Sequence, residues 1–202
     1  MPIASEPITV SCLDQAAVVT LNSADGSNIL SLRVIGHLLE AVANLRTEAE
    51  AEAISSLIIT GNERFFSAGA DLNEIAKLTG PEAYKFSRLG QRLMNSIDSF
   101  PVPVIAAIRG YCMGGGMDLA LACDYRIAAP NAVFGHRGAS LGLITGWGGT
   151  QRLPRLIGRS RALQMFLLAE KVGANEALKI GLANHISADP IAEAQRILVV
   201  AD

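Results

Sequence analysis

An α/β fold is what this sequence predicts, on three observations. Short apolar runs alternate with segments of helical periodicity through the first two thirds, and the last third is mostly helical. Twice, a strand-like run is followed by a glycine-bearing loop that opens a helix. A chain of 202 residues is long enough for one well-buried core and too short to require a second, so a single domain is expected, with residues 150–202 its mostly helical C-terminal part.

The elements follow in order. "ITVSCLDQAAVVTLN" holds two short β-type runs around Leu13-Asp14-Gln15, and "SADGSN" supplies turn chemistry before Ser31, an N-cap candidate. Ile35, Leu38, Leu39, Val42 and Leu45 then recur at helical spacing. "ISSLIITG" reads as a buried strand ending at Gly61, and the loop "NERFFSAGADL" follows. Ala83, Phe86, Leu89, Leu93, Met94 and Ile97 mark a second helix, and "PVPVIAAIRG" another buried strand. "YRIAAP" and "AVFGH" flank a turn at Pro130-Asn131. From Thr150 the pattern is helical, with breaks at Gly158, Gly173 and Gly181.

Half of the residues are apolar, 18% are charged and the formal net charge is −2, which excludes intrinsic disorder and a nucleic-acid surface driven by bulk charge. Cys12, Cys112 and Cys123 show neither CxxC spacing nor a zinc-type His pattern, so no metal or disulfide framework is expected and a reducing setting follows. No signal-like N-terminus or membrane-length apolar run is present, so a soluble, unprocessed, cytoplasmic protein without a membrane partner is expected.

The three glycines of "GYCMGGGMDLALACD" set the chemical question. A helix N-terminus presents unpaired N–H groups and a partial positive charge, and glycine lets an anion approach them closely. The Gly115 N–H is the donor that this argument selects, and the Ala68 N–H in "FFSAGAD" is the second, the two forming an oxyanion hole. The alternative is that Gly114 to Gly116 only permit tight helix–sheet packing.

Taken together, "RFFSAGADLNEI", "AAIRGYCMGGGMDLALACDYRIA", "FGHRGASLGLITGWGGTQRLPRLIG" and "ANEALKIGLANHI" closely resemble the enoyl-CoA hydratase/isomerase, or crotonase, family. The match runs in one order from about the first strand to the end of the chain. The resemblance implies a crotonase-like spiral of ββα units, assembly into homotrimers or pairs of trimers, and acyl-CoA chemistry of the kind found in fatty acid metabolism. It implies stabilisation of a thioester enolate by two backbone amides, which by motif position are those of Ala68 and Gly115. Coenzyme A would be part of the substrate, with no separate cofactor. Arg64 stands where relatives carry a basic residue near its phosphates, and Ser67, Ala68, Gly69, Ala70 and Asp71 would line the adenine and pantetheine path. An ordinary solvated charge is the other reading of Arg64.

Three departures from the family pattern bear on the reaction. Hydratases of the family use two glutamates, and the first of these positions is Asp118 here, either an acid/base group or a first-turn complement to the helix dipole. The second position is Gly138, which cannot transfer a proton. His136, two residues before it, is a candidate replacement because an imidazole titrates near neutrality, whereas Arg137 suits binding a carboxylate. Family members also continue past "RILVVAD" with helices over the acyl pocket; a short form with an open pocket, or a neighbouring subunit covering the apolar face of Ile191, Ala194, Ile197 and Leu198, is expected instead.

"GASLG" matches the G-x-S-x-G of a serine-hydrolase elbow at Ser140, but "LITGWGG" follows where a helix should, and His185 precedes Asp189. No glycine-rich stretch fits a dinucleotide or Walker pattern. Arg152, Arg155, Arg159 and Arg161 form a basic cluster, either a solvated helix face or a phosphate contact across an interface. Trp147 either narrows the acyl pocket or packs in the core. The leading expectation is an enoyl-CoA hydratase, a lyase. Its rivals are isomerisation or decarboxylation, which need fewer proton shuttles, and an acyl-CoA-binding protein of weak activity.

Overall fold

The computed structural model describes residues 6–200. It opens with a hairpin of β1 (Ile8–Leu13) and β2 (Ala16–Leu21), turned at Asp14, whose φ of 54° is the left-handed value a two-residue turn requires. After β3 (Ile29–Leu30), the Ser31 hydroxyl accepts the Val34 N–H at 3.3 Å and starts α1 (Leu32–Glu50). Then come β4 (Ser56–Thr60), β5 (Phe65–Ser67), β6 (Gly69–Ala70), α2 (Leu72–Ile75) and α3 (Gly80–Asp98). β7 (Val104–Ile108), β8 (Tyr111–Met113) and α4 (Gly115–Ala122) repeat the theme, as do β9 (Tyr125–Ala128), β10 (Val133–Gly135) and, after a 3-10 turn at Gly138–Leu141, α5 (Gly149–Ile157). The chain finishes with α6 (Arg159–Leu167), β11 (Lys171–Gly173), α7 (Ala174–Lys179), β12 (His185–Ile186) and α8 (Pro190–Val200).

Three pairs, β4–β5, β7–β8 and β9–β10, each send one strand to a large sheet and the next to a small one before a helix follows. The large sheet runs β1-β2-β4-β7-β9-β12, the small one β11-β10-β8-β5, and β3 pairs with β6. This is the spiral of ββα units that the resemblance implies. β4 and β7 are buried along their whole length, the pattern of strands covered on both faces.

The C-terminal part differs from expectation in two ways. It contains two strands: β11 pairs antiparallel with β10, and β12 parallel with β9. At three and two residues they are too short for a period to show in sequence. The apolar face of α8 also has a partner within the chain. Ala194, with Ile191, Ile197 and Leu198, packs on Ala16, Val18, Ile58, Ile105, Ala107 and Ile127, the second face of the large sheet. A neighbouring subunit is therefore not needed to cover it.

Buried Arg126 ties β9 to this region, donating to the carbonyls of Leu182 and Cys123 at 2.8 Å each and to Asn184 Oδ1 at 3.0 Å. The β7–β8 turn is tighter still. Gly110 has φ +59° and lies against the Arg64 carbonyl, which accepts the Tyr111 N–H at 2.9 Å. A methyl there would overlap backbone, so Gly110→Ala is expected to cost about 3 kcal/mol, read as a lower denaturant midpoint at unchanged slope.

Candidate active site

The small sheet positions the site. β5, β8 and β10 run parallel, with Phe65 opposite Tyr111 and Gly135 opposite Met113, so the loops that leave their C-terminal ends emerge side by side. Those loops carry residues 68–70, the start of α4, and His136.

Of the two amides selected from sequence, one is without an acceptor and the other is engaged. Gly115 is the first residue of α4, so its N–H has no acceptor within the helix, and none is found elsewhere among the described residues. The Ala68 N–H, by contrast, already donates to the Ser27 carbonyl at 3.0 Å. An amide so engaged is not available as a second donor; the Ala70 nitrogen, two residues on, is the one that lies beside Gly115. A Cβ on Gly115 would sit 3.3 Å from the Ala70 nitrogen, and one on Gly69 would sit 3.2 Å from the Gly115 nitrogen. Gly69, at φ +102° and packed against the Met113 carbonyl, is what permits this approach.

The remaining residues of "SAGAD" have structural duties. Buried Ser67 donates to the Asn28 carbonyl at 2.7 Å and accepts the Gly69 N–H at 3.1 Å. Asp71 caps α2 through the Asn73 and Glu74 amides. Both side chains are therefore engaged in hydrogen bonds within the fold. The Ser27 anchor is itself braced by Asp25, whose carboxylate takes the Ser27 hydroxyl and N–H and the Ser23 hydroxyl. Those hydrogen bonds, Ser27's foremost, hold the Asp25 carboxyl down to about 2 from an ordinary 3.8. Their contribution is present above the ordinary value and is lost as pH falls through about 2, and it is small because the group is exposed. Arg64 is exposed, with its guanidinium 5.4 Å from the centre of the Phe65 ring.

One helical turn beyond Gly115, Asp118 is 1% exposed. One carboxylate oxygen accepts the Thr145 hydroxyl. The other lies 3.2 Å from Nε2 of buried His136. These last two atoms are not aligned for a hydrogen bond with each other, and neither has another partner. Buried polar atoms without a hydrogen-bond partner are uncommon in a native fold, and two of them meet at this point. A Cβ on Gly149, which begins α5, would overlap the Asp118 carboxylate and lie 3.0 Å from His136 Nε2. Asp118 thus stands against the N-termini of two helices.

Thr145 had no sequence signal of its own, being one hydroxyl in a glycine-rich loop. Gly138 begins the 3-10 turn, and a Cβ there would lie 2.5 Å from the Leu143 carbonyl oxygen. The missing glutamate is therefore matched by a loop with no room for one. Gly138→Glu is expected to lower turnover at least about tenfold rather than raise it, because the loop carrying Thr145 must move. Enoyl-CoA kinetics check this.

The other candidates lie elsewhere. Ser140 donates to the Arg137 carbonyl at 2.7 Å and not to an imidazole. His185 pairs with Glu193 at 3.2 Å. Arg152 pairs with Asp98, and Arg161 with Glu170 and Glu176. Burial pushes the Cys123 thiol up to about 12 and raises that of Cys112 as well, so both stay protonated and poor nucleophiles. No helix among the described residues is long and apolar enough to cross a membrane.

The comparisons with known proteins point to one family. Residues 14–201 match the enoyl-CoA hydratase/isomerase family model. A crotonyl-CoA hydratase from Syntrophomonas wolfei is 40% identical over 185 residues, covering 91% of this chain and 70% of the relative. A short-chain-enoyl-CoA hydratase from Clostridium acetobutylicum is 38% identical over 173 residues, covering 85% and 65%. The crystal structure of enoyl-CoA hydratase from Thermoplasma volcanium superposes with a TM-score of 0.89 at 33% identity, covering 98% of this chain and 77% of that one. The chain spans 60% to 70% of the length of such curated relatives. With the spiral fold, the glycine-opened helix and a family match over nearly its whole length, the chain belongs to the enoyl-CoA hydratase/isomerase family.

Proposed function

We propose that this chain adds water to a 2-enoyl-CoA, holding the thioester oxygen between the amides of Ala70 and Gly115 and using Asp118 as acid and base. The observation that carries the reading is the convergence at one sheet edge of the free α4 N-terminus, the Ala70 amide and the unsatisfied Asp118 oxygen. Water attacks C3 while Asp118 takes its proton, and the electron pair of the double bond moves onto the thioester oxygen as an enolate. The enolate then collapses, C2 takes up a proton, and the carbonyl re-forms. Preorganised amides supply most where charge develops, and a positioned acid/base typically adds ~10²–10⁴-fold.

His136 is the second proton-handling group of this proposal, standing in for the carboxylate that Gly138 lacks. Exposed Arg64 is the proposed contact for the coenzyme phosphates, beside a path lined by the backbone of residues 68–70. No separate cofactor takes part. A homotrimer or a pair of trimers is proposed for the assembly, supported by exposed Leu141, Leu143, Ile144, Leu163, Leu167 and Leu168 around the contact between the 3-10 turn and α6. The proposed setting is cytoplasmic.

Double-bond isomerisation is the second reading, favoured by Gly138, since one shuttling carboxylate suffices for it. Incubation with crotonyl-, 3-enoyl- and malonyl-type CoA thioesters in deuterated water separates the two. Hydration yields a 3-hydroxyacyl product with one deuterium at C2; isomerisation moves the double bond without gain of water. Binding without any turnover would sink both.

A further inference from the structure

We infer that Trp147 closes the acyl end of this site and restricts it to short acyl groups, of about four carbons. The inference rests on the acyl-CoA reading and deepens it. Trp147 is 3% exposed, and its indole is wedged between two helices at positions where each has a glycine. A Cβ on Gly90 of α3 would overlap the indole nitrogen edge, and one on Gly115 would lie 2.7 Å from Cε3. Phe86 stacks on it, tilted by 44° with ring centres 5.2 Å apart.

The loop that carries the indole is fastened on both sides. The Gly146 carbonyl accepts from Ser87 Oγ at 2.9 Å and from Gln91 Nε2 at 2.8 Å, both on α3. Thr145, two residues before the indole, is bonded to Asp118.

The consequence follows from the path of the substrate. A thioester oxygen at the Gly115 amide and a reacting carbon at Asp118 are three residues apart, roughly 4.5 Å along α4, which the carbonyl carbon, C2 and C3 span. Carbon beyond C4 must then enter the volume beside the first turn of α4, where the indole sits. Because a glycine backs the ring on each side, it lies closer to α4 than any side chain at residues 90 or 115 would allow.

The test compares crotonyl-CoA with trans-2-octenoyl-CoA for the unaltered protein, Trp147→Ala and Trp147→Phe. The unaltered protein should favour the shorter substrate by about a hundredfold in kcat/KM, and Trp147→Ala should narrow that ratio at least about tenfold. Trp147→Phe, which keeps most of the packing, should give an intermediate ratio if the alanine variant fails to fold. Trp147 is the only tryptophan of the chain, so its emission also reads binding directly in the unaltered protein. Butyryl-CoA should shift the emission at concentrations where octanoyl-CoA does not. Equal affinity for both, or an unchanged substrate ratio in the folded variants, would overturn the inference and leave the acyl-CoA reading standing. No response to a thioester of either length, in emission or in turnover, would overturn both.

Discussion

Asp118→Asn is expected to lower kcat on enoyl-CoA by about a thousandfold while leaving KM and the thermal midpoint nearly unchanged. Asparagine has the shape of aspartate and can still accept the Thr145 hydroxyl, so the packing around it is retained. It cannot take a proton from water. His136→Gln should cost about ten- to a hundredfold, since the imidazole lies beside the carboxylate. An Asp118→Asn variant with full activity would remove the carboxylate from the mechanism and leave the hole as a binding device.

The second large effect is expected at Gly115. Gly115→Ala should cut kcat/KM by about 10²–10³, because a methyl there meets both the indole of Trp147 and the amide of Ala70. Either the ring leaves or the first turn of α4 tilts, and a preorganised donor loses its aim in both cases. Trp147 emission reports the displacement without any substrate. Gly114→Ala is the control: the nearest atom to its Cβ is the Gly69 Cα at 4.0 Å, but its φ is +50°. That variant should lose about 1 kcal/mol of stability and keep most of its activity. Equal activity losses in the two variants would mean that the glycines serve the backbone path alone. The assignment of Ala70 is checked in the same protein by following backbone amide shifts as butyryl-CoA is added, where Ala70 and Gly115 should move downfield and Ala68 should not.

Much of the fold was legible in the sequence because long apolar periods survive any tertiary context. α1, α3, β4 and β7 lie where Ile35 to Leu45, Ala83 to Ile97, "ISSLIITG" and "PVPVIAAIRG" place them. β11 and β12 were invisible because two or three residues have no period, and they exist only because β10 and β9 offer them an edge. The cover for α8 was equally hidden, since Ala16 and Val18 lie more than 170 residues upstream of it.

The site divides along the same line. The sequence by itself determined the family, the helix that begins at Gly115, the carboxylate one turn beyond it and the absence of a second glutamate at Gly138, because each is a matter of residue identity at a fixed spacing along one segment. Only the tertiary structure decided that the Ala68 amide is engaged by Ser27 while the Ala70 nitrogen lies beside Gly115, that His136 and Thr145 flank Asp118, and that Trp147 fills the space beside them. Each of those depends on which carbonyl, ring or glycine from a distant segment arrives at the same edge of the small sheet, and strand pairing sets that arrangement.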